Sequence, residues 1–182
     1  MTGIESNLLA HHLDVLEQAG IISRTRSSGD GRRRYVHLVR GALDALGPQP
    51  MSVDTEALFV CTRNSARSQL AAAVWRTVTG TPAESAGTRP ADRIDARAIK
   101  AARRAKLPLA ETTPRAIADV STLPPLVITV CDQAHEELHA PDSWLHWSIS
   151  DPVQAGTAAA FDATIDELLE RIRFLYPRRG DR

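Results

Sequence analysis

Apolar residues at Leu8, Leu9, Leu13 and Leu16 recur at helical spacing and Gly20 follows them, which predicts a helix over residues 6–20 with Ser6 or Asn7 as its cap. The period then changes. Residues 21–27 and 32–39 flank Gly29-Asp30-Gly31, the signature of a hairpin. Residues 41–53 carry Gly47-Pro48-Gln49-Pro50 and no periodicity, so they read as a linker. Beyond it, apolar runs alternate with helical patterns. A strand over 57–61 leads into a helix from about Ala66 to Val78, with Leu70, Val74 and Val78 on one face. A short strand follows within 82–88, then a helix capped by Asp95 and running through Ala105. Residues 126–130 are the most apolar run and predict a central strand, and 144–149 predict another. The last helix opens at Thr157, stripes Phe161, Ile165, Leu168, Leu169, Ile172 and Leu175 along one side, and stops at Pro177. Alternation of this kind predicts an α/β domain with a parallel sheet and helices on its faces. Three parts result: 1–40, a linker over 41–53, and a main domain over 54–182.

Composition narrows the class. A chain of 182 residues is long enough to bury a substantial core. Its 22 basic and 22 acidic residues cancel, so bulk charge argues neither for nor against a nucleic-acid partner. No apolar run approaches the ~20 residues a membrane helix needs, and nothing resembles a leader, so a soluble cytoplasmic protein without a membrane partner is expected. Two cysteines, Cys61 and Cys131, are too few for a disulfide scaffold and suit thiol chemistry in a reducing compartment.

The candidate chemistry centres on Cys61. Cys61, then five residues, then Arg67-Ser68, with a strand before and a helix after, describes an oxyanion cradle. The backbone N–H groups of Thr62, Arg63, Asn64, Ser65 and Ala66 are expected to turn inward, and Arg67 to grip two oxygens at once. The helix N-terminus, those amides and Arg67 favour a Cys61 thiolate, and Ser68 can add a hydroxyl hydrogen bond to it. Asn64 tolerates the left-handed backbone of so tight a turn. Ligands of an open parallel sheet bind at the carboxyl ends of its strands, where Cys61, Cys131 and Asp151 are all expected. Asp151, before Pro152, is the candidate general acid. Cys131, His135 and His139 are spaced by four, as metal ligands on a helix face would be. No fourth ligand is evident, so neither a metal nor a bound cofactor is expected.

Taken together, Val60-Cys-Thr-Arg-Asn-Ser-Ala-Arg-Ser-Gln69, Ser85-Ala-Gly-Thr88 and Asp151-Pro152 resemble the low-molecular-weight phosphotyrosine phosphatase superfamily. The resemblance implies a flavodoxin-like fold, with Cys61 as nucleophile, Arg67 and the loop amides as oxyanion binders, Ser68 as thiolate stabiliser and Asp151 as acid. Within that superfamily the chain resembles the arsenate reductases more than the phosphatases. Gln69 follows Arg-Ser where phosphatases have proline, and the stretches after Asp151-Pro152 and Thr88 lack the aromatic residues that sandwich a phenol ring. The segment Val-Ile-Thr-Val-Cys-Asp-Gln-Ala-His-Glu-Glu over 127–137 is similar to the redox segment of thioredoxin-coupled reductases, which implies Cys131 as a second redox cysteine. Leu138 stands where those enzymes carry a third, and Arg63 and Ala66 depart from the usual loop. An external reductant is therefore implied, from a thioredoxin, mycothiol or glutathione system. A tyrosine or small-phosphoester phosphatase is the alternative.

The first forty residues resemble the second half of the DNA-binding domain of arsenic-sensing repressors. That resemblance implies a partial winged helix-turn-helix, with recognition helix and wing. Arg24, Arg26, Arg32, Arg33 and Arg34 would then meet DNA phosphates, while His11 and His12 read as solvated helix residues. The chain opens almost at the recognition helix, which reads as a remnant of a fused repressor or a late start at Met1. A transcriptional regulator with an oxyanion-sensing domain is the non-enzyme alternative.

Overall fold

The computed structural model describes residues 6–39, 42, 55–109 and 113–176. The linker expected over 41–53 (apart from Ala42), the start at Met1, the capping side chains of Ser6 and Asn7, and the stop at Pro177 lie outside the described residues. The chain divides into two compact units.

In the N-terminal unit, helix α1 (Ser6–Gln18) ends before Gly20, whose φ of +69° turns the chain into strand β1 (Ile22–Arg26). Strand β2 (Arg34–Leu38) pairs antiparallel with β1, setting Ile22 opposite Leu38 and Arg26 opposite Arg34. Helix and hairpin thus form where the apolar pattern placed them. Burial does not follow the pattern. Leu8, Leu9 and Leu16 of the expected stripe are exposed, as are Val36 and Leu38 on β2. Arg24 also departs from its expected role. Its guanidinium reaches Asp14 at 2.6 Å and Glu17 at 2.5 Å, and its own N–H donates to Glu17, so it ties hairpin to helix instead of standing ready for a phosphate. Among the described residues α1 is the one helix of this unit that precedes the hairpin, so the first helix of a helix-turn-helix pair is not seen there.

The larger unit is a four-stranded parallel sheet in the order β4-β3-β5-β6. Strand β3 (Ala57–Cys61) is central and every residue of it is buried. Helix α2 (Arg67–Thr79) leads to β4 (Ala83–Gly87), and helix α3 (Ala96–Arg104) follows, capped by the Asp95 carboxylate on the Arg97 N–H. A 3-10 turn (Ile117–Asp119) precedes β5 (Leu126–Thr129). Helix α4 (Asp132–Glu137), strand β6 (Leu145–His146), the four-residue helix α5 (Pro152–Ala155) and helix α6 (Ala158–Leu175) complete it. The strand expected over 144–149 is shorter because pairing stops two residues in, where the Trp147 N–H makes a last bond to Thr129 O.

Alternation along β3 divides the core. Ala57, Phe59 and Cys61 face one side, where α2 and α6 pack and where Trp75 meets Phe59 edge-on with centroids 5.8 Å apart. Leu58 and Val60 face the other, joined there by Ala86 and Val127 and covered by Ile117, Val120, Leu138 and Trp144. The first layer is much the thicker. It pins the carboxyl end of β3 and the start of α2 to a rigid base, and the functional loop bridges those two ends. Phe161 of α6 is wholly buried in it. Truncating a phenyl group at such a site leaves a cavity, so Phe161→Ala is expected to cost about 3–5 kcal/mol in urea denaturation while leaving the secondary structure in place.

Candidate active site

The turn from Cys61 to Arg67 has no room for ordinary loop geometry. Its shape follows from where its carbonyls go. Cys61 O accepts from Thr88 N at 3.1 Å, Thr62 O from Arg89 N at 2.8 Å, Arg63 O from Ala91 N at 2.9 Å and Ser65 O from Asp95 N at 2.9 Å. Asn64 O accepts from the Gln69 side chain at 3.2 Å. Five successive carbonyls are thus held on the outside. In a trans peptide the N–H of the next residue points opposite to the carbonyl, so the amides of Thr62, Arg63, Asn64, Ser65 and Ala66 turn to the inside. The loop amides thus face inward, as a cradle shape requires. Its makers, the amides of residues 88–95, carry no side-chain signature and could not be read from sequence.

Asn64 locks the loop. It sits at φ +48°, fully buried, and uses all four bonds of its amide. The Arg115 backbone N–H donates to its Oδ1 at 3.0 Å, which fixes the orientation of the group, and Gln69 donates to the same oxygen. Its Nδ2 then donates to Ser68 Oγ and to Ser85 Oγ, each at 2.9 Å. The Ser68 hydroxyl also meets Cys61 Sγ, 3.1 Å away, and towards a thiolate, which has no hydrogen to give, it is the donor. The Asn64 N–H adds a second donor to the sulfur at 3.2 Å. Both donors stabilise a thiolate. Gly87 makes the approach possible, since a Cβ there would lie 2.8 Å from Thr62 O and 3.0 Å from Asn64 N.

Arg67 is not free to fork two oxygens in this state. It donates from Nη1 to Ile149 O at 3.0 Å and from Nη2 to Asp151 Oδ2 at 2.8 Å. Asp151 also caps α5, its Oδ1 accepting from Val153 N at 2.9 Å. The expected anion binder and the expected acid therefore hold each other at the cleft floor.

Cys131 lies on the far side of the loop. Its thiol meets Thr62 Oγ1 at 3.3 Å and accepts from Ala134 N at 3.4 Å as the cap of α4. It is buried and is not among the residues that line the cleft. Burial, and then the neighbouring Cys61 charge, push its thiol up. The metal arrangement weighed for Cys131, His135 and His139 does not form, because α4 ends at Glu137 and His139 follows it at φ +47°. Instead His135 stacks on His146 with centroids 4.2 Å apart, and both Nδ1 atoms meet Thr129 Oγ1. His146 Nε2 stands 3.3 Å from Asp132 Oδ1, an ion-pair separation without an aligned hydrogen bond.

The cleft over Cys61 holds about 970 Å³, with Arg63, Ser65, Ala66 and Arg67 from the loop and Asp151 and Val153 opposite. Residues 91–97 and Thr113-Pro114 form walls that sequence reading missed. Among the described residues no aromatic side chain lines it.

Two expectations follow from this geometry. Ser68→Ala removes one of the two donors to Cys61 Sγ, so alkylation of Cys61 by iodoacetamide at neutral pH should slow by about tenfold, the equivalent of one hydrogen bond to a charged group, as followed by peptide mass. Asp132 gives a pH signature. Burial raises its carboxyl, but the His146 ring and the Ser148 side chain overcome this and bring it from 3.8 down to about 2. A lowered folded-state value contributes stability above the unfolded value and loses it as pH falls. Thermal stability should therefore drop between pH ~4 and ~2 by about 2 kcal/mol from this group, and Asp132→Asn should flatten that acid limb.

A search of curated proteins finds no match. Solved structures do match. An arsenate reductase from Archaeoglobus fulgidus shares 27% identity at a TM-score of 0.55, covering 65% of this chain and 97% of its own. A YwlE mutant from Bacillus subtilis shares 22% identity at 0.56, covering 66% and 95%. The tyrosine phosphatase AmsI from Erwinia amylovora shares 19% at 0.58, covering 68% and 93%. The last two, at their level of identity, speak for the fold alone. The family described as Low molecular weight phosphotyrosine protein phosphatase matches over residues 56–178, a stretch that takes in the sheet, the loop and Asp151, and the chain belongs to that family.

Proposed function

We propose that this chain is a thiol-dependent arsenate reductase. The observation that carries the reading is the second free thiol: Cys131 is held through the Thr62 hydroxyl against the loop that cradles Cys61. The cleft supports it, because the arginine-bearing, aromatic-free lining suits a small inorganic oxyanion better than a phenol ring. The Archaeoglobus fulgidus reductase adds support from similarity. Another reductase of this fold, 22% identical with a TM-score of 0.54, is described in a phosphate-binding state.

In this mechanism the inward amides and Arg67 take the oxygens of dihydrogen arsenate, one of whose two protons is already on the departing oxygen. The incoming anion draws Arg67 off Asp151, and Asp151 relays the other proton to that oxygen. The Cys61 thiolate attacks arsenic(V), an S–As bond forms, and water leaves. A second thiol then attacks Cys61 sulfur; an S–S bond forms, and the S–As electron pair passes to arsenic, which departs as arsenite. Two thiols are oxidised and arsenic is reduced by two electrons. The raised Cys131 thiol suits a group that waits protonated until Cys61 has reacted. Thioredoxin, mycothiol or glutathione would reopen the disulfide, or supply the second thiol directly.

A phosphatase acting on phosphotyrosine or a small phosphoester is the second reading, favoured by the pairing of Cys61 with a carboxyl acid across one cleft. For the N-terminal unit, the exposed Arg26 and Arg34 support contact with DNA phosphates, while Arg24 does not.

The deciding measurement is arsenite formation by the purified chain with thioredoxin and small-thiol systems in parallel. Activity should vanish in Cys61→Ser. Loss in Cys131→Ser as well identifies an internal disulfide, and retention identifies an external thiol as the second partner. Cys61-dependent hydrolysis of an aryl phosphate without arsenite formation replaces this reading with the phosphatase.

A further inference from the structure

Four arginines border the cleft, and they fall into two classes. Arg67 is held by Asp151, and Arg97 is held by Asp95 at 2.7 Å. Arg63 and Arg93 are exposed at the mouth, and neither has a carboxylate partner among the described residues. They are also well mounted. Arg63 O is fixed by the Ala91 N–H, and Ser65 O by the Asp95 N–H, so Arg93 hangs midway between two anchors, with Ile94 beside it buried. The backbone beneath both guanidiniums is thus ordered by the same bonds that shape the cradle, and little ordering cost remains for a ligand that meets them. Asp92 shares the mouth, exposed and without a cationic partner among the described residues. Two positive charges and one negative leave a local excess of one, which matches a single carboxylate better than a doubly charged phosphate.

We propose that Arg63 and Arg93 form a second anion subsite that takes a carboxylate on the organic molecule meeting the oxyanion at Cys61. The proposal rests on the reading of the Cys61 loop as an oxyanion site. It narrows the organic partner, the attacking thiol of a reductase or the ester of a phosphatase, to a carboxylic acid. Neutral partners lack the handle. Asp92 sets an upper limit on the charge accepted, because it repels a second negative group.

The test uses binding alone. Cys61 alkylation by iodoacetamide is followed by peptide mass on the full chain, with protection by methylphosphonate compared with protection by 3-phosphonopropionate, which adds a carboxylate. The carboxylated ligand should protect at about fivefold lower concentration, the scale of a charge-assisted pair at a solvent-exposed site. That ratio should fall to about one in Arg93→Ala and in Arg63→Ala, recover in part in Arg93→Lys, and rise in Asp92→Asn. It should also shrink as salt is raised from about 0.1 M to 1 M. Equal protection by both ligands in the native chain overturns the proposal, as does a ratio that survives both arginine truncations. If methylphosphonate and inorganic phosphate both fail to protect Cys61, the oxyanion reading of the loop falls, and the subsite falls with it.

Discussion

The constraint on which this structure depends is the fate of five consecutive carbonyl groups. Between Cys61 and Ser65 every peptide oxygen is claimed from outside, four by backbone amides of residues 88–95 and one by Gln69. A peptide plane has no independent choice for its other end. Once the oxygens are held out, the hydrogens face in, and a row of partial positive charges surrounds the cysteine sulfur. Removing Gly87 from this scheme would put a Cβ into the loop backbone, so the close approach of β4 to the loop is part of the same constraint.

Two of the four cleft arginines are held by carboxylates, Arg67 by Asp151 and Arg97 by Asp95. Arg67 and Asp151 neutralise each other across the floor, with their exposures of 10% and 33% showing that the arginine is the more desolvated partner. Under the proposed function, an anion arriving at the loop would compete for Arg67 and leave the aspartate on its α5 cap. The two cysteines also differ. Cys61 is supplied with two hydrogen-bond donors to its sulfur, whereas Cys131 is burdened by burial and by its neighbour. The Cys131 thiol is thereby favoured in its protonated form.

Much of the main unit was legible because its elements are periodic. The alternation of Ala57, Phe59 and Cys61 against Leu58 and Val60, the stripe from Phe161 to Ile172 and the caps at Asp95 and Thr157 all follow from spacing and from side-chain hydrogen bonding. The loop residues Cys61, Asn64, Arg67 and Ser68 were legible because their side-chain types at that spacing, between a strand and a helix, mark such a turn. What escaped was what the backbone does at long range. The walls at 91–97 and Thr113-Pro114 and the Arg115 amide on Asn64 depend on where the chain returns, which local pattern does not encode. Arg24 was misread for a related reason. An arginine on a hairpin carries the same letter whether it faces solvent or crosses to Asp14 and Glu17. The spacing of Cys131, His135 and His139 failed because it presumed a helix longer than α4.

The unequal thickness of the two core layers sets the order in which the fold can come apart. One face of the sheet is sealed by two long helices; the other rests on four buried side chains and a patchwork that includes the end of α4 at Leu138. Local opening draws on the weaker layer first, at a small fraction of the free energy of global unfolding. Helix α4 is only six residues long, and its first turn is capped by the Cys131 sulfur itself. Cys131 and Ala134 at its start are built into the thicker layer, and Leu138 just beyond its end packs on the thinner one, so fraying from the far end of this short helix leaves the thiol under the stronger cover.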